Sequence, residues 1–483
     1  MKTILSFLFL LFFSNTYAQY QCGTVLSDTM IQELRAYQLL PKANFKKSNS
    51  NSIVKNIPVQ IHVVGKDDGS GYLSTKKVLE TLCDINTRFQ SANMSFYLYD
   101  AINYIPQSSF YDQDEFQYAI DMMQRNNVDI DNVVNLYFIN SIAGATSGII
   151  AGYFLPGIDG IAVVKNEAGT GKTVLAHEFG HYFGLPHTFG TSSAPKELVD
   201  GSNCTIAGDY FCDTPADPND FPWNCPYSDT IKDANGDTYN PDPGFYMSYA
   251  SDFCKYKFSQ EQMDYMNYYL NNSRPDLANL DSIDKTLLAQ TTLVLPNDNA
   301  FGIDYIVDFQ WLAVAGAEYY NLLVARDFGF QNILLDVNWN GTNFVAELEA
   351  DSLYFWKVVP YAEGNTCTNY TVANKLETGS NAGNNIPSLN EFAGTFDVKT
   401  FPNPVTENFV YLDIASSVDT DIDIYYYNLL GKQLGTETIS VLQNEKSQHK
   451  MMIENLIKGI YWLKFVNTST EEVVLRKMII MNQ

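Results

Sequence analysis

Residues 177–187 restrict the possible folds of this chain more than any other stretch, because they carry three histidines at fixed spacing. They read His-Glu-Phe-Gly-His-Tyr-Phe-Gly-Leu-Pro-His. An α-helix turns every 3.6 residues, so His177 and His181 lie one turn apart on the same face and can reach one metal ion. Gly184 lets the chain leave the helix in a conformation that most residues avoid, and His187 returns from the loop as a third ligand. The stretch therefore predicts a helix that ends beside a metal ion.

Glu178 gives this predicted metal site a chemical role. Three imidazole ligands around zinc leave a fourth position for water, whose pKa falls to about 7 in such sites. Glu178 follows the first ligand directly, where its carboxylate can take the proton of that water. The alternative is that the three histidines are satisfied by hydrogen bonds in an ordinary core. The chain has five histidines and three of them fall in this pattern, which favours a catalytic zinc site; His62 and His449 are assigned no role.

The histidine stretch is the signature of the metzincins, and further segments resemble one metzincin family. Residues 246–249 (Tyr-Met-Ser-Tyr) resemble the Met-turn, which places a methionine beneath the metal. Residues 209–215 (Asp-Tyr-Phe-Cys-Asp-Thr-Pro) and 258–262 (Phe-Ser-Gln-Glu-Gln) resemble the pappalysin (M43) metalloendopeptidases. The resemblance covers roughly residues 56–275. It implies a metzincin catalytic domain that hydrolyses peptide bonds.

The same resemblance implies roles for several other residues. Met247 would be a structural base beneath the metal, and Tyr249 would swing to stabilise the oxyanion of the tetrahedral intermediate. A phenol is a suitable hydrogen-bond donor for developing negative charge. Pappalysins also bind calcium near the site, and the matching ligands here are Asp209, the carbonyl of Cys212 and Thr214. Oxygen ligands suit this hard cation, and a loop that needs no metal is the alternative.

Four of the seven cysteines cluster, namely Cys204, Cys212, Cys225 and Cys254. An exported protein can oxidise them, and the residues alone leave all three pairings open. The resemblance to pappalysins favours a disulfide between Cys225 and Cys254, which would brace the loop below the cleft. Cys204 and Cys212 are then the remaining pair.

The other cysteines, Cys22, Cys83 and Cys367, lie far apart, and the odd total leaves at least one thiol unpaired within the chain. Cys22 is followed by Gly23, and the pair resembles the cysteine switch of some metzincin zymogens. In such a switch a thiolate takes the place of the water until the segment is cut away. An ordinary free or paired thiol is the alternative reading of Cys22.

One position departs from the family's pattern. Pappalysins that prefer an arginine after the cleaved bond commonly carry an acidic residue just before the cysteine that follows the Met-turn. Here Phe253 precedes Cys254, and Asp252 stands one residue further back. The departure speaks against a basic preference and leaves an apolar preference as the alternative.

The N-terminus predicts export. Lys2 is followed by an almost wholly apolar run from Ile4 to Phe13 and by Thr16-Tyr17-Ala18, which resembles a cleavage site, so a signal peptide is expected. In chain order the predicted regions are a signal peptide (1–18), a pro-segment (19–55), the catalytic domain (56–281), a fibronectin type III-like domain (285–378), a linker (379–391) and a C-terminal secretion sorting domain (392–483).

The two C-terminal domains are predicted from short strands separated by turn residues. Residues 311–320 and 353–358 resemble a fibronectin type III module. An ordered set of motifs resembles the C-terminal sorting domain of bacterial type IX secretion, at residues 401–404, 427–431, 459–463 and 476–479. The expected fold class is an α/β (α+β) metzincin catalytic domain followed by two all-β sandwich domains.

Composition limits the partners. The chain has 30 Lys and Arg against 55 Asp and Glu, a net charge of −25, which disfavours nucleic acids and anionic membranes. No segment after the signal peptide is apolar enough to span a membrane. We therefore expect a secreted or cell-surface zinc metalloendopeptidase that acts on proteins or peptides and uses secretion machinery through its C-terminal domain. The alternative is a surface adhesin or glycan-binding protein with a vestigial metal site, and the intact Glu178 speaks against it.

Overall fold

The three-dimensional structure is a computed structural model. It describes residues 20–41, 54–143, 149–191, 194–219, 221–278, 283–303, 305–379, 396–401, 405, 408–428, 433–443, 446–453, 456, 459–470 and 472–480. The predicted signal peptide and all but the first residue of the predicted linker lie outside these ranges. Among the described helices, none has the length and apolar character needed to cross a membrane.

The first part of the chain folds around a mixed sheet. Its strands and a short pair beside it are β1 (Tyr20–Cys22), β2 (Lys55–Gly65), β3 (Met94–Leu98), β4 (Asn103–Pro106), β5 (Asp112–Gln113), β6 (Val134–Ile139), β7 (Ser141–Ile142), β8 (Ile149–Leu155) and β9 (Gly160–Val164). The sheet order is β1-β8-β9-β6-β2-β3, with β4 paired to the far end of β2 and β5 paired with β7. The β8–β9 pair is antiparallel, whereas β1 runs parallel to β8 at the edge. Strands β6 and β9 are buried along their whole length, as expected when both faces of a sheet are covered.

Helices cover this sheet. They are α1 (Asp28–Gln38), α2 (Thr75–Phe89), α3 (Ser108–Tyr111), α4 (Phe116–Asn126), α5 (Val174–Tyr182), α6 (Gln260–Ser273) and α7 (Pro275–Ala278). Helix α2 begins where the Ser74 side chain accepts a hydrogen bond from the backbone N–H of Lys77, and it buries apolar residues at helical spacing. Helix α6 begins with a capping box between Ser259 and Gln262. Both helices thus start at polar caps that satisfy their first backbone N–H groups.

The second part of the chain is all β. Its strands are β10 (Leu293–Leu295), β11 (Ala300–Ile303), β12 (Ile306–Trp311), β13 (Tyr319–Ala325), β14 (Ile333–Trp339), β15 (Asn343–Glu347), β16 (Leu353–Tyr361) and β17 (Asn374–Thr378). Within the described residues they form the sheets β10-β12-β15 and β11-β17-β16-β13-β14. Phe309, Trp311 and Trp356 are buried between them, as alternating strand residues should be.

The C-terminal part is also all β. Its strands are β18 (Phe396–Phe401), β19 (Phe409–Ser416), β20 (Thr420–Asn428), β21 (Gln433–Val441), β22 (Lys446–Met452), β23 (Gly459–Asn467) and β24 (Val473–Ile480). The described strands form the sheets β18-β19-β22 and β21-β20-β23-β24 around a separate apolar cluster. The alternation is plain in β19, where every second residue from Val410 to Ser416 is buried. Two all-β units therefore follow the α/β part, and the predicted domain boundaries stay predictions.

A disulfide ties the second part to the first. Cys83 of α2 is bonded to Cys367, which follows β16. Beside it, the carboxylate of Asp336 accepts a hydrogen bond of 2.9 Å from the backbone N–H of Thr75, at the start of α2. Val359 and Tyr361 of β16 are fully buried and belong to the apolar cluster of the α/β part. The first β unit is thus packed and covalently fixed against the α/β part.

Candidate active site

Three imidazole nitrogens meet at the end of α5. His177 and His181 lie on the helix, and the Nε2 atom of His181 is 3.1 Å from that of His177. The chain turns at Gly184, whose φ of +88° suits glycine, and His187 comes back so that its Nε2 is also 3.1 Å from that of His181. The structure thus brings together the three histidines that the sequence predicts as metal ligands.

The outer nitrogens of the rings fix which atoms point inward. Nδ1 of His177 donates to the carbonyl of Tyr246 at 2.7 Å, and Nδ1 of His181 donates to the carbonyl of Leu185 at 2.7 Å. A carbonyl can only accept, so Nδ1 carries the proton and each Nε2 presents a bare lone pair. Burial holds both rings neutral, and it lowers the pKa of His181 to about 4. Lone pairs this close repel one another unless a cation lies between them.

Metal geometry fits this cluster. Nitrogen ligands about 2.0–2.1 Å from a tetrahedral zinc ion lie about 3.3 Å from one another, close to the spacing of 3.1 Å seen here. Neutral imidazole is a preferred zinc ligand, and a second hydrogen bond from its other nitrogen is the usual way in which it is oriented. The residues present therefore suit a divalent metal ion.

Met247 packs directly under α5. It is fully buried, and its carbonyl accepts a hydrogen bond of 3.1 Å from the backbone N–H of Thr188, next to the third histidine. A Cβ atom at Gly180 would collide with the Met247 sulfur. The glycine of the motif is thus required by close approach of the methionine below the helix.

Glu178 faces strand β8 next to the edge strand β1. Its Oε2 accepts a hydrogen bond of 2.8 Å from the hydroxyl of Thr24, and a Cβ at Gly152 would lie 3.1 Å from its side chain. Burial raises the pKa of Glu178 to about 7, although the hydrogen bonds from Thr24 and Cys22 and the charge of Lys255 act in the opposite direction. Thr24 was not expected at the site from the sequence.

The N-terminal strand occupies the cleft. Strand β1 places Cys22 opposite Gly152 of β8, and the Cys22 sulfur lies with the three histidine nitrogens in a group whose atoms are all within 4.8 Å of one another. The hydroxyl of Tyr249 donates to the carbonyl of Cys22 at 3.4 Å. Among the described cysteines, Cys22 alone is not in a disulfide. The predicted latch thiol, oxyanion donor and metal ligands therefore share one site.

Helix α1 anchors this strand. Its residues Met30, Leu34 and Tyr37 belong to the apolar core of the α/β part. Arg35 donates a hydrogen bond of 2.9 Å to the hydroxyl of Tyr210. The sequence predicts this segment only as a pro-segment, and the structure adds a helix capped by Ser27 that docks on the catalytic part. The signal that was available is the spacing of its apolar residues.

The predicted calcium residues lie in a buried acidic region. Asp209 is fully buried, and its carboxylate accepts hydrogen bonds of 2.9 and 3.0 Å from the hydroxyl of Thr214. Burial raises its pKa well above the ordinary value, and the nearby charge of Glu197 adds to this. Burial and the charge of Asp217 raise the pKa of Glu197 to about 8. Glu197 and Asp217 were not found from the sequence, because no motif marks them.

The cysteine cluster is paired in the structure. Cys204 is bonded to Cys212, and Cys225 is bonded to Cys254. The Cys225–Cys254 bond joins two loops that flank the Met-turn, and a β-bridge between Trp223 and Ala250 links the same loops. It fixes the segment after Tyr249 that lies beside the metal ligands.

Models of three known protein families match regions of the chain. Residues 159–271 match the family model described as pregnancy-associated plasma protein-A, of the M43 peptidases, and residues 75–188 match the reprolysin-like model of metallo-peptidase family M12B. Residues 399–481 match the secretion system C-terminal sorting domain.

Extracellular metalloproteases are among the relatives of this chain. An extracellular metalloprotease of Colletotrichum graminicola is 28% identical over 238 residues, covering 45% of this chain and 77% of the relative. One from Pyricularia oryzae is 25% identical over 266 residues, covering 50% and 86%. Mature mirolysin of Tannerella forsythia, solved with a cleaved peptide, is 18% identical with a TM-score of 0.34 and covers 47% of this chain and 100% of that one.

These matches confirm the resemblance predicted from the sequence. The chain is a metallopeptidase with a mixed α/β catalytic part, followed by β-sandwich regions that end in a secretion sorting domain. Export from the cell is confirmed in the same way. The fibronectin type III-like character of the middle region stays a prediction.

Proposed function

We propose that this metallopeptidase is a zinc-dependent endopeptidase that cleaves proteins or peptides outside the cell and is made as a latent precursor. The observation that carries the proposal is the convergence of three Nε2 atoms, with that of His181 3.1 Å from those of His177 and His187. The Nδ1 atoms of His177 and His181 are bonded to backbone carbonyls. His177, His181 and His187 would hold the zinc ion. When bound, the ion supplies a Lewis acid for the scissile carbonyl.

Glu178 would transfer the proton, and Tyr249 would stabilise the negative charge that develops on the substrate. Glu178 takes a proton from the attacking water and later gives it to the leaving amine, a role that suits a buried carboxyl with a pKa of about 7. Tyr249 donates its hydrogen bond to the oxyanion. Its hydroxyl already reaches a backbone carbonyl, that of Cys22, and this supports the assignment. Met247 supports the ligand helix from below.

Cys22 would be the latch of the precursor. Its sulfur lies near the three histidine nitrogens, Thr24 binds Glu178, and Gly23 donates its N–H to the carbonyl of Gly152 at 3.0 Å. A peptide substrate therefore cannot approach Glu178 or the edge of β8 while this strand is in place. Removal of the N-terminal segment would free both.

Calcium would bind in the buried acidic region. Asp209, the Cys212 carbonyl and Thr214 are the ligands that the family resemblance implies, and we add Glu197. Its Oε2 atom is buried without a hydrogen-bond partner among the described residues, a costly state that a cation would relieve. The expected role is structural, because Thr188 beside the third histidine donates to Asp217 of the same region at 2.7 Å.

The test compares three variants of the processed protein. We expect Glu178→Gln to keep zinc by elemental analysis but to lose casein hydrolysis by at least about a hundredfold, because its near-isosteric amide cannot take the proton. His187→Gln should lose the metal and the activity together. His449→Gln, in the C-terminal part, is the matched control and should keep both. Retained hydrolysis by Glu178→Gln, or zinc-free active protein, would refute the proposal.

A further inference from the structure

Lys255 lies in the active-site pocket, although no motif of the sequence marks it. It follows Cys254 on the segment after the Met-turn, and it lines one pocket together with Cys22, His177, Glu178 and Tyr249. Its side chain is 10% exposed. A cation is therefore buried among the groups that would perform the reaction.

Asp252 holds this lysine without fully engaging it. The nearest oxygen of Asp252 is 3.6 Å from the Lys255 ammonium, which is longer than a normal hydrogen bond. The same carboxylate also accepts hydrogen bonds from the backbone N–H and the hydroxyl of Thr173, where α5 begins. Asp252 thus fixes Lys255 relative to the ligand helix while its own charge is shared with Thr173.

The pocket changes when the N-terminal strand leaves. Cys22 forms one wall of it, and the Cys22 carbonyl accepts the hydrogen bond of the Tyr249 hydroxyl. Without that strand, the vacated space lies between Glu178, Tyr249 and the Lys255 ammonium. A substrate residue next to the scissile bond would then place its side chain beside this cation.

We propose that Lys255 determines specificity and selects an acidic side chain, Asp or Glu, on a residue that flanks the scissile bond. The inference rests on the proposed endopeptidase function. An ammonium has three donors and gains a charge-assisted hydrogen bond from a substrate carboxylate in a site shielded from water. A basic side chain would bring like charges together, and an apolar one would leave the ammonium without a new partner.

This inference differs from the apolar preference left open by the sequence. Phe253, which stands where an acidic residue would favour basic substrates, is 82% exposed and points away from the core. The pocket instead holds the Lys255 ammonium, two residues along the chain, together with the Glu178 carboxyl. The positive charge of Lys255 acts to lower the pKa of both His177 and Glu178, which agrees with a position beside these two side chains.

The experiment uses processed, zinc-loaded enzyme and pairs of peptides that differ in Glu against Gln at each position flanking the cleaved bond. We expect kcat/KM to be at least about tenfold higher for Glu than for Gln at one of these positions. Lys255→Met should reduce that ratio to about twofold or less, and Lys255→Glu should favour Lys over Gln instead. Lys257→Met is the matched control, because Lys257 pairs with Asp242 at 2.6 Å on the same segment, and it should keep the wild-type ratio.

The outcomes separate this inference from the proposed function. Hydrolysis of peptides with no Glu over Gln preference, or a preference that survives in Lys255→Met, overturns the role of Lys255 and leaves the endopeptidase standing. Absence of hydrolysis by the wild-type enzyme overturns both. If Lys255→Glu does not fold, the Lys255→Met result alone decides.

Discussion

His62 offers a test of how the catalytic core is held together. It is fully buried on β2, its ring stacks on Tyr137 with centroids 4.2 Å apart, and both ring nitrogens are bonded. Nε2 lies 3.0 Å from Oδ1 of Asn135, and Nδ1 lies 2.9 Å from Nδ2 of Asn103. The amide of Asn103 donates and the oxygen of Asn135 accepts, so one neutral tautomer satisfies both contacts. A second proton on this ring would break the contact with Asn103.

The pH dependence follows from this environment. Burial lowers the pKa of His62 from 6.5 to about 4. The folded pKa is depressed, so the unfolded chain binds the proton first as pH falls. Stability from this group is complete above pH 6.5 and is lost as pH falls toward 4. Since one pKa unit corresponds to about 1.36 kcal/mol, the loss amounts to about 3.4 kcal/mol.

The perturbation is His62→Gln, whose amide keeps hydrogen-bonding capacity but does not titrate in this range. Urea unfolding at pH 7.0, 5.5 and 4.0 would give the free energy of unfolding of the catalytic part for both proteins. The metal ligands titrate in both, so the difference between wild type and variant isolates His62. We expect the variant to be less stable at pH 7 but to lose about 3 kcal/mol less than wild type on going to pH 4.

His449→Gln serves as the control, because that histidine is partly exposed on β22 and pairs with Glu437 far from this core. Equal losses of stability in wild type and His62→Gln between pH 7 and 4 would refute the reasoning. So would a larger loss in the variant, since no sign of a depressed histidine pKa would remain.

The remaining predictions concern the latch, the ligand helix and calcium. In the unprocessed precursor, Cys22→Ser should raise peptide hydrolysis and hasten processing. Val25→Ser is the control and should do neither, because Val25 is 80% exposed on the same segment. If Cys22→Ser is as inactive as the wild-type precursor, the thiol is not the latch. Gly180→Ala should lower the free energy of unfolding by about 1–3 kcal/mol and weaken zinc binding, because its methyl group meets the Met247 sulfur. Gly157→Ala is the control and should change neither quantity, because a Cβ there meets nothing within 4 Å. Calcium, but not magnesium, should raise the melting temperature of wild type, and Glu197→Gln should reduce that rise; an equal rise would remove Glu197 from the site.

Local spacing explains what the sequence could predict of the site. His177 and His181 are one helical turn apart, and Gly184 fixes the exit of the chain, so their geometry depends on few neighbours. The same holds for α2, whose cap at Ser74 and apolar stripe are both local. Such features need no knowledge of the rest of the fold.

Contacts between distant segments could not be predicted in this way. Cys83 and Cys367 are 284 residues apart, and nothing near either cysteine indicates the other. No motif marks Lys255, and only the folded chain places its side chain in the pocket, beside Asp252. Thr24 acquires its role only through the parallel pairing of β1 with β8, which no periodicity predicts.

The N-terminal segment combines two separate tasks, and this has a consequence for activation. Strand β1 covers the proposed active site, since Cys22 lies beside the three histidines and Tyr249, and Thr24 bonds to Glu178. Helix α1 binds the N-terminal segment to the catalytic part, because its buried apolar residues pack into the same core that supports α5. A single cut between α1 and β2 therefore removes the covalent link but leaves residues 20–41 bound by noncovalent contacts. Full activity then requires dissociation or further cleavage of α1, so the appearance of activity should lag behind the first cut.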